Sequence, residues 1–307
     1  MYGLKPVPFN GSLDFIGSLM GFPEHVKLVE VGPRDGLQNE PALVPLDVKI
    51  ELIERLAAAG LPVVEAGAFV SPRRVPQMAD SGEVYRRMRR LPGASYPALV
   101  PNMQGLEAAL AAGVEEIAIF VSASEGFSQA NIACSRAQSL ARLAPVAQAA
   151  LDRGLRVRGY VSCVIACPYD GPTPPDAVAK MAEQLVTMGC YEISLGDTIG
   201  VGEPEQVKRL IDAVATHIPH EQLAMHFHDT YGCAVANVRV SLEGGIAVFD
   251  SSVAGLGGCP FAPGAPGNVA TEAVLDLFAR LGIETGVDRA AVEETGKWIR
   301  QRLAERD

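Results

Sequence analysis

Short β-branched or apolar runs alternate with longer Ala/Leu-rich stretches of helical period along nearly the whole chain, and this alternation is what most limits the possible folds. Strands are predicted over 26–31, 62–66, 96–100, 116–121, 156–163, 192–195, 223–228 and 248–253. Helices are predicted over 47–59, 82–90, 104–112, 136–153, 176–188, 205–217, 234–243 and 271–281. The first of these carries Ile50, Ile53, Leu56 and Ala57 on one face. Eight βα units in a row, with no long linker, imply an α/β fold closed into a (β/α)8 TIM barrel. The barrel is expected to be one catalytic domain over 26–288, after an N-terminal extension over 1–25. Residues 289–307 read as a C-terminal helical tail, packed outside the barrel or at a subunit contact. A doubly wound sheet also alternates, but it usually stops at about five to seven strands and places a Gly-rich phosphate loop after the first. Here Gly32-Pro33-Arg34-Asp35-Gly36 follows the first strand, and it is not such a loop.

The chain has 307 residues, which suits one barrel of this kind. With 48% hydrophobic and 20% charged residues it is not intrinsically disordered. Its 36 acidic against 26 basic residues give a net charge of −10, so no nucleic acid is expected on a broad basic face. The dense cationic run Arg86-Arg87-Met88-Arg89-Arg90 reads as a solvated helix face, with attraction of an anionic ligand as the other reading. No apolar run reaches the roughly 18 residues that span a membrane, and no membrane partner is expected. The first residues lack a signal or transit pattern. Cys134, Cys163, Cys167, Cys190, Cys233 and Cys259 are scattered and form no CxxC pair, so disulfides are not expected and the cytoplasm is the expected compartment.

In a barrel of this kind the chemistry sits at the C-terminal ends of the strands. The polar residues there include Arg34, Asp35 and Gln38 after the first strand and Glu65 at the second, then Asp197 and Thr198 after the sixth. His226 and His228 end the seventh, and Asn268 lies in the loop after the eighth. His226-Phe227-His228 is the sharpest local signal, because residues two apart on a strand point the same way. Both imidazoles either chelate one metal ion or pair as core histidines. Asp35 and Asn268 at the same mouth would complete two nitrogens and two oxygens. Such a mixed set with open positions suits Mg²⁺ or Mn²⁺, with catalytic zinc as the alternative. Arg34 is placed either to stabilise a developing oxyanion or to close the mouth as an ion pair. Glu65 either orients Arg34 or a metal-bound water, or forms a plain ion pair. Cys259 sits in a Gly- and Pro-rich loop over 254–268. It either moves a proton once that loop closes or packs as a small apolar residue.

Several strings together resemble the 3-hydroxy-3-methylglutaryl-CoA lyase family of the DRE-TIM metallolyase superfamily. They are Leu28 to Glu40 (LVEVGPRDGLQNE), Phe69 to Met78, Arg158 to Cys163 and Gly189 to Gly200, followed by His226 to Gly232 and Asp250 to Pro260, with Gly267-Asn268. The resemblance runs from about residue 26 to about 288. It implies a divalent cation, Mg²⁺ or Mn²⁺, on Asp35, His226, His228 and Asn268. It implies catalytic importance for Arg34, Glu65, Asp197, His226 and Cys259, with Asp35 or His226 as candidate base. It also implies a CoA-thioester substrate, cleaved to acetyl-CoA and acetoacetate, and a homodimer.

The chain departs from the family's pattern at Ala68, where a hydroxyl is usual, and at Pro41, Cys233 and Pro266. The catalytic set is intact while the substrate-lining set is altered. A related substrate, such as citramalyl-CoA or a longer-chain 3-hydroxyglutaryl-CoA derivative, is therefore a second expectation. A condensing synthase would carry a further C-terminal domain. A non-catalytic barrel would have lost a ligand or Arg34.

Overall fold

The computed structural model describes residues 21–259 and 262–305, with side chains for all of these except 259 and 262–266. Most of the expected N-terminal extension, the last two residues of the expected tail and the Cys259 side chain lie outside the described residues.

The strands are β1 (Lys27–Glu30), β2 (Val63–Val64), β3 (Gly67–Ala68), β4 (Ala98–Leu99), β5 (Glu116–Ser122) and β6 (Arg156–Ser162). A small antiparallel pair follows, β7 (Ala166–Cys167) with β8 (Gly171–Pro172), then β9 (Glu192–Asp197), β10 (Leu223–Phe227) and β11 (Val248–Ser251). A last short antiparallel pair is β12 (Gly258–Cys259) with β13 (Ala262–Pro266). The main sheet runs β2-β1-β11-β10-β9-β6-β5-β4-β3. Its two end segments, β2 and β3, are separated only by Glu65 and Ala66. Glu65 N–H donates to Glu30 O at 2.9 Å, and Ala66 N–H donates to Pro97 O at 3.1 Å. They are halves of one strand whose backbone groups turn alternately to its two neighbours. The sheet therefore closes into the expected eight-stranded barrel.

The helices are α1 (Leu46–Ala58), α2 (Ser81–Arg87), α3 (Met103–Ala111), α4 (Glu125–Ile132) and α5 (Arg136–Leu151). They continue with α6 (Pro175–Thr187), α7 (Pro204–Ala215), α8 (Ala234–Glu243), α9 (Thr271–Leu281) and α10 (Arg289–Ala304). Local chemistry sets their starts. Ser135 with Gln138 and Glu203 with Gln206 form capping boxes, and Pro175 and Pro204 occupy first-turn positions where no amide hydrogen is needed. Leu52, Ile53 and Leu56 turn the apolar face of α1 onto the sheet. Helix α10 lies outside the barrel, buries Val292 and Ile299, and stacks Trp298 under the Arg55 guanidinium of α1 at 4.6 Å.

Two expectations change. The helix expected over 82–90 ends at Arg87, because Met88 is already extended at φ −64°, ψ 143°. The arginine run thus leaves the helix midway. Arg86, Arg87 and Arg90 pair on the surface with Glu83, Asp47 and Glu115. Helix α4 and the β7–β8 pair were not expected. Helix α4 buries only Ser128, so it has no apolar stripe for periodicity to reveal.

Inside the barrel, Val29, Val31, Val63, Ala224 and Val248 form a small apolar cluster of their own. Moving two residues along β10 and β11 toward the C-terminal mouth replaces Ala224 by His226 and Val248 by Asp250. The bore turns polar there. Arg158, Glu65, Ser194 and Asp250 are buried at that level with Tyr160.

Candidate active site

The turn after β1 builds one wall. Val31 O accepts the N–H groups of Arg34, Asp35 and Gly36 at 3.1, 2.7 and 3.2 Å. This tight turn brings two adjacent side chains, Arg34 and Asp35, into the mouth. Gly36 is required, since a Cβ there would lie 2.7 Å from the Leu256 Cβ.

Arg34 is held on both sides. Its Nε donates to Glu65 Oε1 at 2.7 Å, and its Nη1 donates to Asp35 Oδ1. Glu65 Oε2 in turn accepts the Tyr160 hydroxyl. Nη2 of Arg34 has no protein partner among the described residues, so one donor of the fork remains for a ligand. Burial disfavours the guanidinium, but the Glu65 and Asp35 charges outweigh this and keep it protonated. Burial likewise works against an ionised Asp35. The Arg34, His226 and His228 charges and the Asn268 amide still hold its carboxyl down at about 2. Asp35 is therefore anionic at any working pH.

Asp35, His226 and His228 each bring a ligand atom to within 4.8 Å of the others. The imidazole centroids lie 5.4 Å apart. His228 pairs through its backbone with Asn268 in an isolated bridge. Asn268 Nδ2 donates to Asp35 Oδ2 at 2.9 Å and to Leu256 O at 3.1 Å. Asn268 Oδ1 and His228 Nδ1 are both buried with no partner among the described residues. Two stranded lone-pair atoms beside a carboxylate and a second imidazole fit the donor set of a divalent cation. Burial and the neighbouring His226 charge push His228 down to about 4, against the pull of Asp35, so it stands as a neutral ligand. His226 is shifted upward. Burial opposes its charge, but the Asp250 hydrogen bond and charge prevail.

A cavity of about 400 Å³ opens over these groups, with Arg34, Asp35, His226 and His228 on its wall. Leu99, Phe120, Phe127, Tyr160 and Val161 contribute to the apolar lining, and Arg74 with Asn131 lies on it as well. Glu65 reaches the cavity only through Arg34 and Tyr160. Asp197 is fully buried beside it, where its carboxylate accepts the N–H groups of Gly202 at 2.7 Å and Val201 at 3.3 Å. It thus ties down the turn after β9, whose Thr198 lines the cavity with Gly196. Cys259 has its backbone in β12, while its side chain falls outside the described residues. Ala68 lines a second cavity of about 490 Å³ with Ser81 and Asn102, and Val70 lies on the wall of both cavities.

Sequence reasoning passed over Tyr160, Arg158 and Asp250. The available signal was a charge or hydroxyl at inward positions of otherwise apolar strands, with Arg158 and Tyr160 two apart on β6.

The family model described as HMGL-like matches residues 25–299. A Pseudomonas aeruginosa protein named 3-hydroxy-3-isohexenylglutaryl-CoA/hydroxy-methylglutaryl-CoA lyase is 58% identical over 280 residues, covering 91% of this chain and 93% of that protein. The mitochondrial hydroxymethylglutaryl-CoA lyase of Bos taurus is 55% identical over 285 residues, covering 93% and 88%. The crystal structure of the hydroxymethylglutaryl-CoA lyase from Pseudomonas aeruginosa superposes with a TM-score of 0.91 at 57% identity, covering 92% of this chain and 94% of that one. With the closed barrel, the paired histidines and these likenesses all spanning the same residues, the chain belongs to the HMGL-like family.

Proposed function

We propose that the protein is an oxo-acid-lyase that cleaves the carbon–carbon bond of 3-hydroxy-3-methylglutaryl-CoA, giving acetyl-CoA and acetoacetate with the help of a divalent cation. The observation that carries this reading is the convergence of Asp35, His226 and His228 beside the Arg34 fork, in a chain so similar to proteins of that name. We assign the cation, Mg²⁺ or Mn²⁺, to Asp35, His226, His228 and Asn268. When bound, it supplies Lewis-acid stabilisation of the charge that develops on a tertiary hydroxyl.

The protein groups do the rest. A base takes the hydroxyl proton, the bond between C2 and C3 breaks, and the electron pair passes to the thioester carbonyl. The free Nη2 of Arg34 donates to that oxygen as charge builds there. The new carbanion carbon takes a proton from Cys259, or from His226 while its Nε2 is not a ligand. The choice of base follows from the nitrogens. Nδ1 of His226 already faces Asp250 at 3.2 Å, so Nε2 is the only one left. His226 can accept the proton only while Nε2 is not a ligand; otherwise Asp35 does so, although its charge is strongly stabilised. Glu65 and Asp197 act by holding Arg34 and the Thr198 turn in place.

A second reading keeps this chemistry and changes the acyl group. It draws on the apolar lining from Leu99, Phe120, Phe127 and Val161, and on the first half of the Pseudomonas relative's name. Acetyl-CoA release measured with Mg²⁺ and with Mn²⁺ on both substrates decides. Activity on the methyl compound alone supports the first reading, and activity only on a longer branch supports the second. We further propose a homodimer in the cytoplasm. The five described cysteines are free, and close relatives include lyases named cytoplasmic. Light scattering at about twice 32.4 kDa is the expected reading for the dimer.

A further inference from the structure

Asp250 and Arg158 have no part in the chemistry above, yet they sit directly behind it. Asp250 on β11 is in register with His226 on β10, and both project into the bore. Among the described residues, every other hydrogen-bond partner of the Asp250 carboxylate is a donor. Arg158 gives Nη2 to Oδ1 at 2.7 Å and Nη1 to Oδ2 at 3.3 Å, and Ser194 gives its hydroxyl to Oδ2 at 2.7 Å. A carboxylate that accepts a guanidinium on both oxygens has no proton to give. The contact with His226 Nδ1 at 3.2 Å is therefore a donation from Nδ1–H. Arg158 is itself immobilised. Its Nε donates to Glu192 Oε1 at 2.7 Å, and its Nη1 also reaches the Tyr160 hydroxyl at 2.7 Å.

We propose that Asp250, braced by Arg158, is a positioning residue that fixes the ring orientation and Nδ1–H tautomer of His226, presenting Nε2 to the cavity. A neutral imidazole can ligate a cation or take a proton only through the nitrogen without hydrogen, so the choice of tautomer decides whether the site works. The inference rests on reading the site as a metal-assisted lyase.

Nitrogen-15 spectra of the full-length, metal-free protein at about pH 9, above the ordinary imidazole range, test it directly. His226 signals are assigned by their loss in His226→Gln. The expected result is hydrogen on Nδ1 and a bare Nε2; hydrogen on Nε2 overturns the proposal. This needs no variant at Asp250, so it stands even if such a variant fails to fold. In Mn²⁺ titrations followed by electron paramagnetic resonance, Asp250→Asn is expected to bind roughly 10–100-fold more weakly than the wild type. Glu192→Gln touches Arg158 but not His226, and is expected to lose thermal stability while keeping near-wild-type affinity. Asp250→Asn with wild-type affinity overturns the proposal. If His228→Ala binds Mn²⁺ as well as the wild type does, the metal reading fails instead, and the tautomer still decides the role of Asp250.

Discussion

His228 carries a buried ring nitrogen with no hydrogen-bond partner among the described residues, and this sets what its removal does. Truncating it breaks no side-chain hydrogen bond among the described residues, so His228→Ala is expected to melt within about 3 °C of the wild type. Cleavage, by contrast, should fall at least roughly 100-fold, with Mn²⁺ affinity falling in parallel. Full activity in this variant would remove His228 from the metal set. For Cys259 the expected signature is different. If the thiol delivers a proton after bond cleavage, Cys259→Ala lowers kcat and leaves KM nearly unchanged, because the group is needed only in the transition state. Equal turnover would take it out of the reaction. At this scale the sequence spoke clearly where chemistry and spacing coincide. His226 and His228 were legible because a strand repeats every second residue. Asp250 was not, because its partners come from β6, β9 and β10, and strand pairing cannot be read from one isolated strand.

The eight barrel strands could be read from β-branched runs flanked by amphipathic helices, and their number and order hold in the structure. The short pieces within loops were hidden, since β7 and β8 span two residues each and bury almost nothing periodic. The loop after β11 shows how a short element controls the site. Gly257 sits at φ +111°, and a Cβ there would lie 2.8 Å from Asn268 Nδ2. That amide is pinned between Asp35 and Leu256 O, so it cannot retreat without releasing Asp35. Gly257→Ala is expected to cost about 1–3 kcal/mol of stability and to weaken cation binding as well. A Cβ on its neighbour Gly258 meets no described atom within 4 Å, so Gly258→Ala should leave the unfolding midpoint nearly unchanged or slightly raised. Equal midpoints for the two variants would show that the close approach at Gly257 is not a constraint.

For the whole molecule, stability across the neutral pH range depends on a carboxyl far from the solvent. Glu30 of β1 points away from the bore toward α9 and is fully buried. Its Oε1 accepts Gly32 N–H at 2.8 Å and Val253 N–H at 2.9 Å, and its Oε2 accepts the Thr271 hydroxyl at 2.7 Å. One side chain thus ties together the turn before Arg34, the start of the loop after β11 and the first turn of α9. Burial raises its pKa from 4.5 to about 7, against the lowering effect of these hydrogen bonds. A folded-state value above the unfolded one means that folding favours the protonated form. The stability gained is complete below about pH 4.5 and is lost as pH rises through about 7. The displacement corresponds to about 3 kcal/mol across that window. Asp35 is shifted the other way, so its contribution is complete above pH 3.8 and fades only in stronger acid. It does not mask the effect of Glu30. Gln at position 30 copies the neutral acid, with an oxygen for the two amides and an NH₂ for Thr271. Glu30→Gln should therefore match the wild type in urea unfolding at about pH 5 and exceed it at about pH 8. Parallel profiles for the two proteins across this range would mean that Glu30 is ionised in the fold, its three donors having overcome its burial.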